Sequence, residues 1–306
     1  MHHVKKTLLV SIVGPTAVGK TDMAIKIAQR FRTVIISADS RQFYRELNIG
    51  TAKPNTEELN KAAHYFINSH SINENYNAGA FGRDALELIK KLSKKYELIV
   101  VVGGSTLYLK ALWEGFDEMP EAAEGVRESL NKILEKGKIS DLLVELKRLD
   151  PAYYNKVDRN NGQRVVRALE IIRSTGKPYS SFRLSKEKDL PYQNLKVGLN
   201  IDRKTLFEKI NKRMDVMIDK GLFQEAESLM GHKNHNALQT VGYSEIFEFI
   251  EGSYDREETI RLLKRNSRRY AKRQLTWFNR YDDIHWFKPD KEDEVIKLII
   301  QQLSEH

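Results

Sequence analysis

Residues 14–21 combine a glycine-rich turn with a lysine and a threonine, in the pattern G-x-x-x-x-G-K-T. The apolar run 8–13 precedes this turn, and a helical pattern at 22–30 follows it. Such a strand–loop–helix arrangement binds phosphate groups. Backbone N–H groups close around the oxygens, the helix N-terminus adds positive potential, and the lysine adds a full charge. The motif therefore predicts a site for a phosphorylated ligand. Its residues are Gly14, Pro15, Thr16, Ala17, Val18, Gly19, Lys20 and Thr21.

The acidic residue expected beside this loop follows a different strand from the one that carries it in ATP-dependent enzymes. In ATP-dependent enzymes with such a loop, a second strand ends in an aspartate that helps to hold magnesium. Here the apolar run 97–102 ends in Gly103-Gly104-Ser105, without a carboxylate at its tip. Asp39 instead follows the run 34–38. Because ligands of open parallel sheets lie beyond the carboxyl ends of the strands, we expect Asp39 near the phosphate ligand, in a position that argues against an ordinary kinase.

The elements that must position these residues alternate between strands and helices. Apolar, β-branched runs lie at 7–13, 33–38 and 97–102, and helical patterns lie at 20–31, 56–66 and 80–95. This rhythm is typical of a parallel α/β sheet. The β signal then disappears until 195–199, and a last strand is predicted at 284–287. We predict a P-loop NTPase-like parallel sheet flanked by helices, formed by 1–117 and 195–306, with an all-helical insertion domain at 118–194.

The composition excludes several classes of site. Of the 306 residues, 41% are hydrophobic and 30% are charged, and none is cysteine. No run approaches the roughly 18 apolar residues of a membrane helix, and the start leads directly into the first strand. Disulfides and thiolate metal sites are excluded, and a cytoplasmic protein without a membrane segment is expected. No sustained heptad pattern is present, and a monomer is the expected state.

Part of the net charge of +9 is concentrated on one predicted helix. Residues 261–280 contain eight basic residues and no acid. At about 100° per residue, those from 261 to 273 fall within about half of the circumference. The opposite side carries Leu263, Tyr270, Ala271, Trp277 and Phe278. A merely solvated helix face usually mixes charge signs, so this face indicates an anionic partner such as a nucleic acid.

These blocks together resemble the bacterial tRNA dimethylallyltransferases, the tRNA isopentenyltransferase family, along essentially the whole chain. The match is carried by residues 14–21, by Ser37–Gln42 continuing to 48–54, by Gly103-Gly104-Ser105 before Leu107-Tyr108, and by Gln163–Arg167. Shorter blocks at 240–243 and 272–278 add to it. Ser105 stands where a threonine is common in the family, and it keeps the hydroxyl group.

The resemblance implies transfer of a dimethylallyl group from dimethylallyl diphosphate to N6 of the adenosine just 3′ of the anticodon. The loop would hold a diphosphate leaving group, which makes the missing magnesium aspartate intelligible. Loop amides, Lys20 and a Mg²⁺ ion at Thr21 would disperse the charge on that group. Asp39 is implied to orient the adenine amine and take its proton, with Thr16 and Arg213 as further groups at the reacting centre.

The resemblance also implies that the tRNA anticodon stem-loop is the macromolecular partner, with the target base pulled from its stack. The helical insertion would grip the stem, and the basic helix would attract its backbone. The residues implied to contact tRNA are Asp39, Ser40, Arg41, Gln42, Ser105, Arg127, Gln163, Arg164, Val165, Val166 and Arg167.

Two other classes of protein stay open from the residues alone. One is a P-loop kinase of a small molecule or nucleotide, or a prenyltransferase that acts on free AMP. The other is a non-catalytic RNA-binding protein with a vestigial loop. ATP turnover without tRNA, or prenylation of AMP, would favour the first class. Binding of tRNA that is insensitive to Asp39→Ala and yields no product would favour the second.

Overall fold

The computed structural model describes residues 6–115, 117, 119–183 and 189–305. They divide into two compact units. Met1–Gly115 and Asp189–His306 make up the sheet unit, and Phe116–Lys188 makes up the helical unit. Residues 118 and 184–188 of the predicted insertion lie outside the described residues.

The sheet unit is built on a six-stranded parallel sheet in the order β3-β2-β4-β1-β5-β6. The strands are β1 Thr7–Val13, β2 Ile35–Ser37, β3 His64–Tyr65, β4 Leu98–Gly103, β5 Tyr192–Leu199 and β6 Ile284–Phe287. Every residue of β1 is buried, which explains its continuous apolar sequence, because helices cover both faces of a parallel sheet. The predicted P-loop NTPase-like parallel sheet is confirmed.

Helices lie between and after these strands along the chain. They are α1 Lys20–Arg30, α2 Thr56–Lys61, α3 Ala78–Leu92, α4 Thr106–Trp113, α5 Val126–Glu135, α6 Ile139–Leu149, α7 Pro151–Tyr154, α8 Gly162–Thr175, α9 Arg203–Asp219, α10 Leu222–Ser228, α11 Ser244–Ile250, α12 Arg256–Phe278 and α13 Glu292–Ser304. In the parts of the chain that the structure describes, no helix combines the length and apolarity needed to cross a bilayer.

Alternate residues of β1 enter two separate cores, one on each face of the sheet. Leu9 belongs to the core that contains Phe81 of α3 and Leu109 of α4. Val10 belongs to the core that contains Met23 of α1 and Val295 of α13. Since side chains alternate along a strand, this division shows that helices cover both faces. The arrangement leaves the carboxyl ends of the strands to carry the loops.

The helical unit contains α5, α6, α7 and α8 and has a core of its own. Leu130 of α5, Leu142 and Leu146 of α6, and Leu169 of α8 are fully or almost fully buried in it. Its three longer helices are α5, α6 and α8. The short α7 was not predicted, although Asp150 caps it and a proline occupies its first turn, which are recognised start signals.

Two boundaries differ from the prediction. The helix predicted at 56–66 ends at Lys61, and His64–Tyr65 instead form the edge strand β3. The strand predicted at 195–199 begins at Tyr192, so the last three residues of the predicted insertion belong to the sheet. The Tyr192 hydroxyl donates a hydrogen bond to the carbonyl oxygen of Leu112 at 2.7 Å. A tertiary contact of this kind has no signature in local sequence.

Asp150 is expected to be important for the stability of the helical unit. Its Oδ1 accepts hydrogen bonds from the Tyr153 amide at 2.9 Å and the Ser180 hydroxyl at 2.8 Å, and its Oδ2 accepts one from the Ser180 amide at 2.7 Å. Loss of a cap and of buried hydrogen bonds costs about 1–3 kcal/mol. Asp150→Ala should therefore accelerate amide hydrogen exchange in α6 and α8. Asp158→Ala, which removes one exposed hydrogen bond, is the control and should leave exchange unchanged.

Candidate active site

The glycine-rich loop begins where three strands end at the same level. Val13, the last residue of β1, lies opposite Gly103 of β4 and Gly198 of β5. Gly14 has φ 142°, and a Cβ atom there would lie 2.4 Å from the carbonyl oxygen of Leu199. Only glycine satisfies both conditions. The loop therefore leaves the sheet at its centre and leads into α1.

Gln274 of α12 connects this loop to the loop that follows β4. Its side chain is only 3% exposed. Its Oε1 accepts a hydrogen bond from the Thr16 amide at 2.8 Å, and its Nε2 donates one to the carbonyl oxygen of Gly104 at 2.9 Å. A Cβ atom at position 104 would lie 2.2 Å from Nε2, so a larger residue there would displace the Gln274 amide. One buried amide thus sets the distance between two loops.

Gln274 belongs to the sequence block 272–278, but the sequence analysis assigned no role to this residue. A signal was available, because Gln274 continues the buried stripe of α12 formed by Leu263, Ser267, Ala271 and Phe278. A large polar side chain in such a stripe must find hydrogen-bond partners. Its presence predicts a buried polar contact, although not which groups it meets.

Asp39 lies in the turn directly after β2. Its Oδ1 accepts hydrogen bonds from the backbone amides of Arg41 at 2.9 Å and Gln42 at 3.4 Å. The neighbouring Ser40 amide donates to the Ser105 hydroxyl at 2.8 Å, and Ser105 is buried. The turn after β2 is therefore held by its own carboxylate and by the loop after β4.

Two cationic side chains surround Thr16. Arg213 of α9 donates from Nη2 to the Thr16 hydroxyl at 2.7 Å. Lys20 donates from Nζ to the carbonyl oxygen of Pro15 at 2.7 Å. Burial among protein atoms and the neighbouring Arg213 together lower the pKa of Lys20 to about 7, although Asp39 acts in the opposite direction. A bound anion would therefore stabilise the protonated form of Lys20.

A cavity of about 230 Å³ joins the phosphate loop to Asp39. One part of its wall is polar and the other is apolar, with Met214 and Met217 of α9 almost fully buried. The lining residues are Thr16, Asp39, Ser40, Arg41, Gly50, Thr51, Ile210, Arg213, Met214, Met217, Thr240, Val241, Ser267 and Tyr270. The structure thus brings Thr16, Asp39 and Arg213 together around one space, and that space has room beside the charges for a hydrocarbon group.

Glu225 of α10 fixes the far wall of this cavity. Its two oxygens accept hydrogen bonds from the backbone amides of Asn48, Ile49 and Gly50, at 3.1, 2.8 and 2.9 Å, and from the Tyr243 hydroxyl at 2.6 Å. The blocks at 48–54 and 240–243 therefore form one supporting structure. Their spacing in the sequence contained no sign of this partnership, because Glu225 lies in neither block.

Comparison with known proteins decides the family. Residues 42–281 match the family model for IPP transferase. The chain is 48% identical over 305 residues to the tRNA dimethylallyltransferase of Cytophaga hutchinsonii, with both chains covered completely. The chain belongs to the IPP transferase family. It is also 47% identical to the enzyme of that name from Christiangramia forsetii, over 94% of this chain and 95% of the relative.

Solved structures of family members have the same fold. A tRNA isopentenylpyrophosphate transferase from Bacillus halodurans is 36% identical, with a TM-score of 0.73 over 98% of each chain. A eukaryotic dimethylallyltransferase acting on tRNA is 27% identical, with a TM-score of 0.78 over 92% of this chain and 74% of that one. The resemblance identified from the sequence blocks is confirmed.

The helical unit of this IPP transferase contains Gln163–Arg167, five residues that are expected to contact tRNA. Gln163 and Arg164 are exposed at the start of α8. Val165 and Val166 are 0% exposed and pack in the core of the helical unit. These two side chains therefore lie on the inner side of α8, because a helix that presents its polar side must bury the other. Arg167 and Arg127 both bind Glu170.

The basic helix is α12, and part of its charge is neutralised within the sheet unit. Arg261 forms a two-bond ion pair with Glu258, and Lys264 lies 2.5 Å from Asp215 of α9. Arg269 stays exposed. Tyr270, which the helical pattern assigned to the packing side, lines the cavity and is hydrogen-bonded to Ser105. The side of α12 opposite its charges therefore packs beside the loops as well as against apolar surface.

Replacing Gln274 with leucine should loosen the loop. Gln274→Leu keeps the side-chain size but leaves the Thr16 amide and the Gly104 carbonyl unpaired, at about 1–3 kcal/mol for each buried group. We expect a lower free energy of unfolding in urea and weaker binding of inorganic diphosphate by calorimetry. Gln301→Leu, at an exposed position of α13, controls for the chemical change. Unaltered diphosphate binding in Gln274→Leu would contradict the role of the bridge.

Proposed function

We propose that this chain is a tRNA dimethylallyltransferase. It transfers a dimethylallyl group from dimethylallyl diphosphate to N6 of the adenosine 3′-adjacent to the anticodon, in tRNAs that read U-starting codons, and releases diphosphate. The observation that carries the proposal is the single cavity lined by Thr16 of the phosphate loop and by Asp39. Family membership supports an enzyme of this type.

The donor is held at the glycine-rich loop in this proposal. Loop amides, Lys20 and Arg213 bind the diphosphate, and they stabilise the negative charge that grows on it as the bond between C1 and oxygen breaks. The apolar wall, with Ile210, Met214 and Met217, receives the hydrocarbon tail, since burial of apolar surface is favourable. The arrangement suits attack at carbon, because the loop holds a leaving group.

The acceptor amine is activated by Asp39. The lone pair of an exocyclic adenine amine is delocalised into the ring, so the amine needs orientation and removal of a proton as the N6–C1 bond forms. Backbone amides already occupy Oδ1 of Asp39, and we assign the base role to Oδ2. The proton passes to this carboxylate and the electron pair of the C1–O bond leaves with diphosphate.

Magnesium is the proposed cofactor. Within the described residues no three His, Asp or Glu side chains converge to form an all-protein metal site. Thr21 follows Lys20 in the first turn of α1, and Mg²⁺ is often bound by few protein ligands together with phosphate oxygens and water. A hydroxyl group at the end of the loop fits that donor set. The ion would supply additional neutralisation of the diphosphate charge.

The macromolecular partner is the anticodon stem-loop of tRNA. Ser40 and Arg41 line the cavity beside Asp39, and we propose that they, with Gln42 and Ser105, surround the extruded base. Gln163, Arg164, Arg127 and Arg167 of the helical unit contact the RNA, and the exposed cations of α12 attract its backbone. A substrate of this kind places the protein in the cytoplasm, and we propose that it works as a monomer.

Incubation of the protein with radiolabelled dimethylallyl diphosphate and unmodified tRNA tests the proposal. Label should enter only tRNAs with an adenosine after the anticodon, and nuclease digestion should recover it as N6-modified adenosine. Labelling no greater than without enzyme would reject the proposal. ATP turnover without tRNA, or prenylation of free AMP, would support a small-molecule enzyme. Binding of tRNA without product, unaffected by Asp39→Ala, would support a non-catalytic RNA-binding protein.

Asp39→Asn should separate catalysis from binding. The amide keeps the shape of the side chain but cannot take the proton, so kcat should fall by about 10²–10⁴-fold, while the Kd for tRNA should change by only about two- to three-fold. Single-turnover labelling and filter binding measure the two quantities. Asp219→Asn, at the exposed end of α9, should change neither. Parallel losses of kcat and affinity in Asp39→Asn would assign the residue to binding.

Lys20 should make diphosphate binding depend on pH. Its pKa is about 7 in the free protein, and a bound anion must raise it because the cation is stabilised. Below pH 7 the group is already protonated, so affinity is insensitive to its titration. Above pH 7 binding takes up a proton, and affinity should fall by up to about tenfold per pH unit. Calorimetry in buffers of different ionisation enthalpy measures this uptake. Lys20→Arg stays protonated. Its affinity should show only the pH dependence that comes from the titration of diphosphate itself.

A further inference from the structure

Arg127 and Arg167 lie on different helices of the helical unit but bind the same oxygen atom. Nη1 of Arg167 in α8 lies 2.7 Å from Oε2 of Glu170, and Nη1 of Arg127 in α5 lies 3.4 Å from it. The Glu170 side chain is 4% exposed, whereas the arginine side chains are 47% and 39% exposed. A buried carboxylate therefore holds two guanidinium groups that remain open to solvent.

The stability of the helical unit does not require a carboxylate at position 170. Glu170 interrupts an otherwise apolar run of buried residues in α8, between Leu169 and Ile171. A buried ion pair is seldom more stabilising than an apolar residue of similar size. Arg127 also lies in the first turn of α5, where the helix dipole disfavours a cation. Local rules are broken in this way where a function requires it.

The arrangement leaves donors available for an anion. A guanidinium group has five N–H donors in a fixed plane, and the bond to Glu170 uses one Nη1 group of each arginine. The remaining donors match the fork geometry that binds a phosphate with two parallel hydrogen bonds. Two positive charges and one negative charge leave a net charge of +1, which favours a phosphate over a neutral group.

We propose that Glu170 is a positioning residue of the RNA-binding surface, and that it holds Arg127 and Arg167 as one rigid pair that binds the phosphate backbone of tRNA. The proposal rests on the tRNA-modifying function proposed above. The contribution of Glu170 is pre-organisation. Two long side chains that are already immobilised lose less entropy when RNA binds, and their fixed spacing selects one backbone geometry.

Glu170→Gln tests the proposal because it removes the charge and keeps the size of the side chain. We expect the Kd and KM for cognate tRNA to rise about tenfold, a magnitude set by freeing two side chains. The kcat at saturating tRNA and the KM for dimethylallyl diphosphate should not change. The preference for cognate over non-cognate tRNA should fall, since loose arginines attract any RNA.

Glu145→Gln is the matched control. It breaks the two-bond ion pair between Glu145 of α6 and Arg173 of α8, with distances of 2.9 and 2.6 Å. It should lower thermal stability without changing the affinity for tRNA. If Glu170→Gln folds poorly, Arg127→Lys keeps the charge but loses the planar fork and should weaken tRNA binding in the same way. Where Glu170→Gln folds, the double variant with Arg127→Lys should bind tRNA no more weakly than either single variant, because both substitutions remove one interaction.

Three results would overturn the proposal. Unchanged or tighter tRNA binding in Glu170→Gln would mean that the carboxylate competes with phosphate. An equal loss of tRNA affinity in Glu145→Gln would mean that only the stability of the helical unit matters. Additive losses in the double variant would mean that the two residues act separately. If the protein without substitutions prenylates tRNA and any of these results is observed, only this inference is rejected and the proposed function stands. If that protein binds no tRNA, the proposed function itself is rejected.

Discussion

The amide of Gln274 determines the distance between the phosphate loop and the loop that follows β4. Because the Gln274 side chain is almost fully buried and bonded to both loops, neither loop can move without leaving a polar group unpaired. The loop after β4 in turn holds the Asp39 turn through Ser105 and the Ser40 amide. The positions of the phosphate loop and of the Asp39 carboxylate are thereby coupled through contacts at the carboxyl edge of one parallel sheet.

Positive charge lies on one side of the cavity and negative charge on the other. Lys20 and Arg213 surround Thr16 on the side of the loop, and the lowered pKa of Lys20 reflects burial and the neighbouring guanidinium group. Asp39 faces the same space and partly offsets that effect. A loop of the type used to hold nucleotides can therefore hold a leaving group, provided that an apolar wall and a carboxylate lie across from it.

Local sequence predicted the strands β1 and β4 to within one residue, because each is a buried apolar run bounded by turn residues. It failed at β3, a short edge strand that no apolar run marks, and at the start of β5, where Tyr192 is positioned by a contact with α4. In each case the deciding partner is distant along the chain.

The sequence by itself determined the parallel sheet, the phosphate loop and the presence of Asp39 beside it, since these follow from apolar runs, glycine spacing and the geometry of strand ends. Only the tertiary structure decided that Gln274, Glu225 and Glu170 support the candidate sites. Each acts through hydrogen bonds or ion pairs to groups elsewhere in the fold. Such a bond depends on where two segments meet in space, and residue spacing contains no record of that.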